Sequence, residues 1–392
     1  MPAFESLIRD MRCHNFTFLI GGGASISSHV ESPYELAYTW FKELYAYMLR
    51  IPELETDENR WVKSVIAREN IWDSLDTKQV ATALMHRNDD DWFRMASFII
   101  DGLSCSYYKI ATMLEDTIPD GREIINSTVE HIADKAMPHY GYKLLAYLLS
   151  TLQDSNVRHD AVITTNFDNL LTEVFFYLRE EYPEMRVDST RPKSITMGDD
   201  DRQLDRFNQW VINPQNPLIF HVHNSQDFNP RNTAREVGYY PQRTDEALHR
   251  LVDDRYLLVM GYSGSDEGLM TVIKDSCCQR VYWLSYSGAE PKSKPYQRLK
   301  QKLGGNLIIL SCPKPESVGC PKDCPKGFDS FMWKLVKRLY PECPIISQMS
   351  HVNESVPTEG FNNTTKFMND QINIAQRNIY NLYTYDNIGN IT

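Results

Sequence analysis

Residues 16–25 read Phe-Thr-Phe-Leu-Ile-Gly-Gly-Gly-Ala-Ser. The apolar residues are nearly successive rather than alternating, the run has strand length, and three glycines close it. Such a segment is a β-strand covered on both faces that delivers its chain into a tight loop. The same grammar recurs at Ala161–Thr164, Leu218–Val222, Tyr256–Met260, Val281–Ser285 and Asn306–Leu310, and most of these runs are followed by Gly, Ser, Asn or Asp. Helical patterns follow several of them, as in Asn169–Tyr177 and Asp266–Lys274. Repeated strand, loop and helix units with doubly covered strands predict an α/β fold with a doubly wound, six-stranded parallel sheet. Ligands of such sheets bind beyond the carboxyl ends of the strands, so the loops that begin at Gly21, Thr165, His223, Gly261 and Tyr286 are expected to converge on one site.

The 392-residue chain is 42% hydrophobic and 24% charged, which suits a folded protein with a sizeable core. Its net charge of −11 disfavours direct binding to nucleic acid. Met1–Gly23 lacks the basic, apolar and small-residue succession of a secretory signal, and no window approaches the roughly 18 apolar residues of a membrane span. Eight cysteines scattered through so long a chain suit reduced thiols. A cytoplasmic protein without a membrane partner is the expectation.

Between the first two strands lie roughly 140 residues without a convincing strand, far more than a usual crossover connection. Glu35–Leu49 places Leu36, Trp40, Leu44, Tyr47 and Met48 on one helical face, and Arg60–Trp72, Asp91–Ile100 and Tyr142–Leu152 are further amphipathic segments. The chain therefore divides into a discontinuous nucleotide-binding domain, residues 1–29 and 155–344, a helical insertion, 30–154, and an Asn-rich tail, 345–392. The last 22 residues of that tail, from Gln371, alternate Ile and Tyr among Asn with little charge. They read as a terminus or as a strand for assembly or partner recruitment.

Gly21-Gly22-Gly23-Ala24-Ser25 lets the backbone approach a phosphate while its N–H groups face the charge. A dinucleotide-binding dehydrogenase would place a third glycine where Ile26 stands, and would carry an acidic ribose ligand roughly 20 residues on, in a region that reads as helix here. Hydride transfer is thereby disfavoured. Cys312, Cys320, Cys324 and Cys343 lack the paired Cys-x-x-Cys of a structural zinc site, so no metal is expected.

The glycine loop, Thr164-Thr165-Asn166-Phe167-Asp168, His223-Asn224-Ser225 and Gly261-Tyr262-Ser263, each at the end of a predicted strand and in this order, together resemble the sirtuin family. Their spelling is more similar to the sirtuin-like NAD-consuming effectors of bacterial anti-phage defence than to protein deacylases. No Cys lies between His223 and Ser263, where deacylases carry a zinc module. Val30–Glu35 replaces the Pro-Asp-Phe-Arg stretch of deacylases, Asn224 stands where a Gly follows the catalytic His, and Thr165 where they have Gln. The resemblance implies a sirtuin-like, Rossmann-like sheet and NAD+ as substrate. It further implies His223 and Asn166 as catalytic residues, and Gly21, Gly22, Gly23, Ala24, Ser25, Thr165, Asp168, Gly261, Ser263 and Ser285 as binding residues. Asp168 would accept from the carboxamide of nicotinamide.

The residue types fit that chemistry. When the nicotinamide–ribose bond breaks, a cationic pyridinium leaves as a neutral molecule, so what remains is to stabilise an oxocarbenium-like ribose and aim a water. Asn166 fixes geometry without changing charge, and the imidazole of His223 accepts a proton near neutrality. Plainer roles stand beside these: Asn166 as a turn residue, Asp168, Ser25 and Ser263 as helix caps, and His223 as a hydrogen-bonded structural residue. The expected function is an NAD+ glycohydrolase that depletes NAD+ during phage infection. Its control would rest on a homo-oligomer, a regulatory protein partner or a phage-derived trigger. The alternatives are an NAD-dependent deacylase or ADP-ribosyltransferase, and a non-catalytic NAD or ADP-ribose sensor.

Overall fold

The computed structural model describes residues 3–31, 36–37, 39–40, 43, 107–133, 136–151, 157–182, 192–196, 201–224, 231–286, 288, 290–291 and 293–347. The chain divides into two compact units, Met1–Cys343 and Pro344–Thr392. The expected helices at Arg60–Trp72 and Asp91–Ile100, and the Ile- and Tyr-rich end of the tail, lie outside the described residues.

The first unit is built on an all-parallel sheet of seven strands: β1 Phe16–Ile20, β2 Ala161–Thr164, β3 Lys193–Thr196, β4 Leu218–His221, β5 Tyr256–Met260, β6 Arg280–Ser285 and β7 Leu307–Ser311, in the order β3-β4-β2-β1-β5-β6-β7. The six expected strands are present, and the count of six is corrected by β3. This edge strand reads Lys-Ser-Ile-Thr, has half-exposed Lys193 and Ser194, and buries Ile195 as its one large apolar side chain. It has no apolar run to betray it, and its pairing with β4 at Ile195 and Phe220 is what makes it a strand.

The period-two alternation of a strand sorts the sheet into two faces. Leu19, Ile163, Phe220, Val259 and Trp283 enter one core cluster with side chains from helices Asp201–Ile212, Gln242–Val252, Glu267–Asp275 and Lys294–Leu303. On the other face Phe16 stacks on Tyr282, and the first helix, Ala3–Met11, meets helix Phe328–Leu339 through the ring pair Phe4–Phe331. Helix Tyr140–Thr151, which leads into β2, packs between Phe328–Leu339 and Leu170–Glu181. Full burial of each large apolar side chain contributes roughly 1.5–3 kcal/mol, and Trp283, Trp333, Phe16, Phe18 and Phe220 are all fully buried.

Of the expected insertion, Leu36, Ala37 and Trp40 are helical and buried, as the apolar face requires. Helices Tyr107–Thr117 and Gly121–Ala133 form a pair seated on the short helix Ala234–Val237. The seat is fixed by a bidentate ion pair from Arg122 to Glu236, at 3.0 and 2.9 Å. Among the described residues no helix is long and apolar enough to cross a membrane.

Candidate active site

The chain passes from β1 to β2 and on to the edge strand β3, comes back to β4 between β3 and β2, and then crosses to β5, β6 and β7 on the other side of β1. The point where the strand order reverses therefore lies at the carboxyl ends of β1 and β5, the place where open α/β sheets bind ligands. Two glycine-bearing loops meet there. Gly21 N–H donates to Met260 O at 3.0 Å and Gly23 N–H to Gly261 O at 2.8 Å. A Cβ on Gly21 would stand 2.7 Å from Gly261 O, and Gly261 itself has φ +64° with its Cα facing the Ala24 amide. These positions are glycine because one loop lies directly on the other. Gly22–Ala24 forms a single 3₁₀ turn in which Ala24 and Ser25 N–H groups bond to Gly21 O and Gly22 O.

Ser25, at the end of that turn, is wholly buried and reaches across to the loop after β2. Its hydroxyl donates to Asp168 Oδ2 at 2.8 Å and lies 2.7 Å from the Tyr142 hydroxyl. Asn166 Nδ2 donates to Ser25 Oγ at 2.9 Å and to Tyr142 OH at 3.1 Å. The hydrogens can be counted. The single proton of Ser25 goes to the carboxylate, so the Tyr142 proton goes to Ser25 Oγ, and both Asn166 amide protons have acceptors. This orders the amide and leaves Asn166 Oδ1 a buried acceptor with no hydrogen-bond partner among the described residues, although Asn166 is only 5% exposed. Asp168 Oδ1 also receives Leu170 N–H at 3.3 Å at the head of helix Leu170–Glu181, so part of the expected capping role is real. Burial pushes the Asp168 carboxyl up to about 6 against the lowering effect of those hydrogen bonds. Burial, then the Asp168 charge, raises the Tyr142 phenol well above its ordinary value and keeps it a donor.

The imidazole belongs to a second network. His223 is fully buried, and its Nε2 lies 2.6 Å from Asp266 Oδ2 and 3.0 Å from Tyr240 OH. Tyr240 OH donates to the same Asp266 oxygen at 2.9 Å, while Asp266 Oδ1 caps helix Glu267–Asp275 by accepting Leu269 N–H at 3.0 Å. Burial, reinforced by the Asp266 charge, holds the Tyr240 phenol protonated. On the other side of the ring, Tyr108 from helix Tyr107–Thr117 stands edge-on, with its hydroxyl 3.5 Å from Nδ1. Asn224 follows with φ +63°, a left-handed conformation that Gly takes freely and Asn tolerates better than most residues. This gives a physical reason for Asn where sirtuins have Gly.

Thr165 ties its loop to β1 through N–H to Ile20 O at 3.0 Å. Ser263 is exposed and pairs with Ser265 at 2.8 Å; the cap of the following helix is Asp266 instead. Ser285 closes β6, one strand beyond β5, and its carbonyl accepts Cys312 N–H at 3.1 Å. Ser225 lies outside the described residues. The structure thus joins Ser25, Asn166 and Asp168 in one hydrogen-bonded group, packs Gly21 and Gly23 against Gly261, and holds His223 in a neighbouring group. Sequence reading missed Tyr142, Tyr240 and Tyr108. Tyr142 sits on a helix face that reads simply as apolar, and only the fold brings it to Ser25. His221, the last residue of β4, is buried.

Among the described residues no cluster of His, Cys, Asp or Glu has metal-binding geometry. A groove lined by Lys193, Trp210, Asn213 and Asn216 lies at the amino ends of β3 and β4, the opposite end of the sheet from this site.

Residues 160–302 match the family model of the SIR2-like domain. This part of the chain is thus similar to a SIR2-like domain, a class whose members are usually NAD-dependent enzymes. The match contains Asn166, Asp168, His223, Gly261 and Asp266, and begins after the glycine loop. No curated protein matches the chain.

Proposed function

We propose that the protein is an NAD+ glycohydrolase that releases nicotinamide and ADP-ribose, with Asn166 and His223 as its catalytic residues and Gly21–Ser25 beside the pyrophosphate. The observation that carries this reading is the ordered amide of Asn166, whose buried Oδ1 has no hydrogen-bond partner among the described residues. An unsatisfied buried acceptor is costly and calls for a donor from outside, and a ribose hydroxyl or an attacking water is such a donor.

In the reaction, the bond between ribose C1′ and the pyridinium nitrogen breaks with its electron pair passing to nicotinamide. The oxygen of water bonds to C1′, and the water proton passes to His223. Asn166 Oδ1 aims the hydroxyl or the water, and Asp168 accepts from the carboxamide of nicotinamide. Ser263 and Ser285 line the far side of the dinucleotide, with Thr165 and Gly261 holding the loops. No metal takes part. The biological use is depletion of NAD+ in anti-phage defence, in the cytoplasm. Because NAD+ loss is lethal, the insertion, residues 30–154, and the tail, 345–392, supply control through self-association, a protein partner or a phage-derived trigger.

The test is nicotinamide release from NAD+ without any acceptor, at low and high protein concentration, beside His223→Ala and Asn166→Ala. Turnover by the natural protein and loss of at least tenfold in both variants are expected. Undiminished turnover in both variants removes the site. NAD+ binding without turnover at any concentration replaces hydrolysis by sensing, and release that requires an acyl-peptide replaces it by deacylation.

A further inference from the structure

Asp266 occupies an unusual position for a residue that a sequence reader would assign to helix capping alone. Its Oδ1 does cap helix Glu267–Asp275 at Leu269 N–H, but its Oδ2 stands 2.6 Å from His223 Nε2. Both side chains are shut off from solvent, with His223 at 0% and Asp266 at 1% exposure. The carboxylate is clamped at both oxygens, one by the helix terminus and one by Tyr240 OH and the imidazole, so it has no freedom to turn away.

We infer that Asp266 is the positioning residue of His223, fixing the proton on Nε2 and leaving Nδ1 as the proton acceptor offered to substrate. The inference rests on the reading of His223 as the group that takes the proton. Proton counting fixes the tautomer. Tyr240 gives its hydroxyl hydrogen to Asp266 Oδ2, so toward Nε2 it presents only a lone pair, and Asp266 presents a carboxylate oxygen. Both neighbours of Nε2 are acceptors, hence Nε2 carries hydrogen and Nδ1 carries the free pair. When water or a ribose hydroxyl transfers its proton to Nδ1, the imidazolium that forms already has a carboxylate on its other nitrogen. Substrate must then approach from the side where Tyr108 now stands.

The two oxygens of Asp266 allow its two roles to be separated. In Asp266→Asn, the amide oxygen still caps Leu269, whereas the NH₂ group turned toward Nε2 is a donor and forces the imidazole proton onto Nδ1. The experiment uses the full chain labelled with ¹⁵N at histidine, with the His223 resonances assigned by their absence in His223→Ala. The natural protein shows the Nε2–H tautomer and Asp266→Asn the Nδ1–H tautomer. The variant keeps its melting temperature within a few degrees and its KM for NAD+ within about threefold, while kcat falls by about 100-fold or more. An Nδ1–H tautomer in the natural protein overturns the inference, and this measurement needs no variant to fold. Natural kcat in Asp266→Asn also overturns it. If His223→Ala retains full turnover, the functional reading itself fails; if His223→Ala is dead and Asp266→Asn is fully active, only the positioning role fails.

Discussion

Tyr108 stands edge-on to His223, ring centroids 5.8 Å apart and planes at 89°, and so covers the nitrogen that Asp266 leaves unprotonated. The tyrosine comes from the helix pair that Arg122 and Glu236 fasten to helix Ala234–Val237. Tyr108→Ala opens this side of the imidazole. Diethylpyrocarbonate, followed by peptide mass mapping, is expected to modify His223 several times faster in the variant than in the natural protein. Equal rates would mean that the ring is reached by another route.

Tyr142→Phe removes the hydroxyl that donates to Ser25 and accepts from Asn166. One amide proton then lacks an acceptor in a buried setting, a loss of ~1–3 kcal/mol. Denaturant unfolding measures that loss. Nicotinamide release is expected to fall with it, because the Asn166 amide is free to rotate; unchanged kcat would show that Asn166 is oriented by Ser25 alone.

Asp168 titrates at about 6 in the folded protein against 3.8 for an ordinary Asp, because burial disfavours its charge. Between those two values the folded state holds a proton that the unfolded chain has lost, so this group's contribution to stability falls as pH rises through that window. Asp168→Asn is therefore expected to stabilise the protein at pH 7 by ~1–3 kcal/mol and to give no gain near pH 4. His159 acts oppositely. Burial lowers it from 6.5 to about 4, so its contribution is present above about 6.5 and is lost as pH falls toward 4. Urea titrations between pH 4 and 7.5 should show Asp168→Asn gaining stability steeply with pH, with the natural protein flatter. A variant no more stable than the natural protein at pH 7 contradicts the assignment.

Gly261→Ala places a methyl group against the Ala24 amide at a φ of +64°. Strain and overlap together are expected to destabilise the protein by ~3 kcal/mol or more and to abolish NAD+ binding, measured by thermal melting and calorimetry. A variant of natural stability would mean that the two loops part without consequence.

Removal of the residues after Ile345 tests the tail. Light scattering of the natural and shortened chains is expected to show a smaller assembly for the latter; identical masses would remove the tail from self-association.

Phe16–Ile20 and Tyr256–Met260 were legible because strands buried on both faces are apolar throughout, and the loops that follow them had to hold any site. The position of Asn166 and His223 at the carboxyl end of the sheet was legible for the same reason: each stands two residues beyond the register pair Thr164 and His221 on adjacent strands. Lys193–Thr196 was hidden because an edge strand has little apolar surface to announce. Tyr142, Tyr240 and Tyr108 were hidden for a different cause. An aromatic on a helix face or in a loop reads as packing, and its hydroxyl gains meaning only from partners such as Ser25 or Asp266 distant in the chain. The glycine loop illustrates a half-reading, since its glycines answer first to Gly261 and the Ala24 amide, which no local pattern reveals.

Of the seven strands described, β1 waits longest along the chain for its second neighbour. Its two neighbours begin at Ala161 and Tyr256, so a nascent chain that stops short of Met260 has one bare edge on the strand that carries the glycine loop. The contact of Gly21 and Gly23 with Gly261 therefore cannot form until Gly261 has been synthesised.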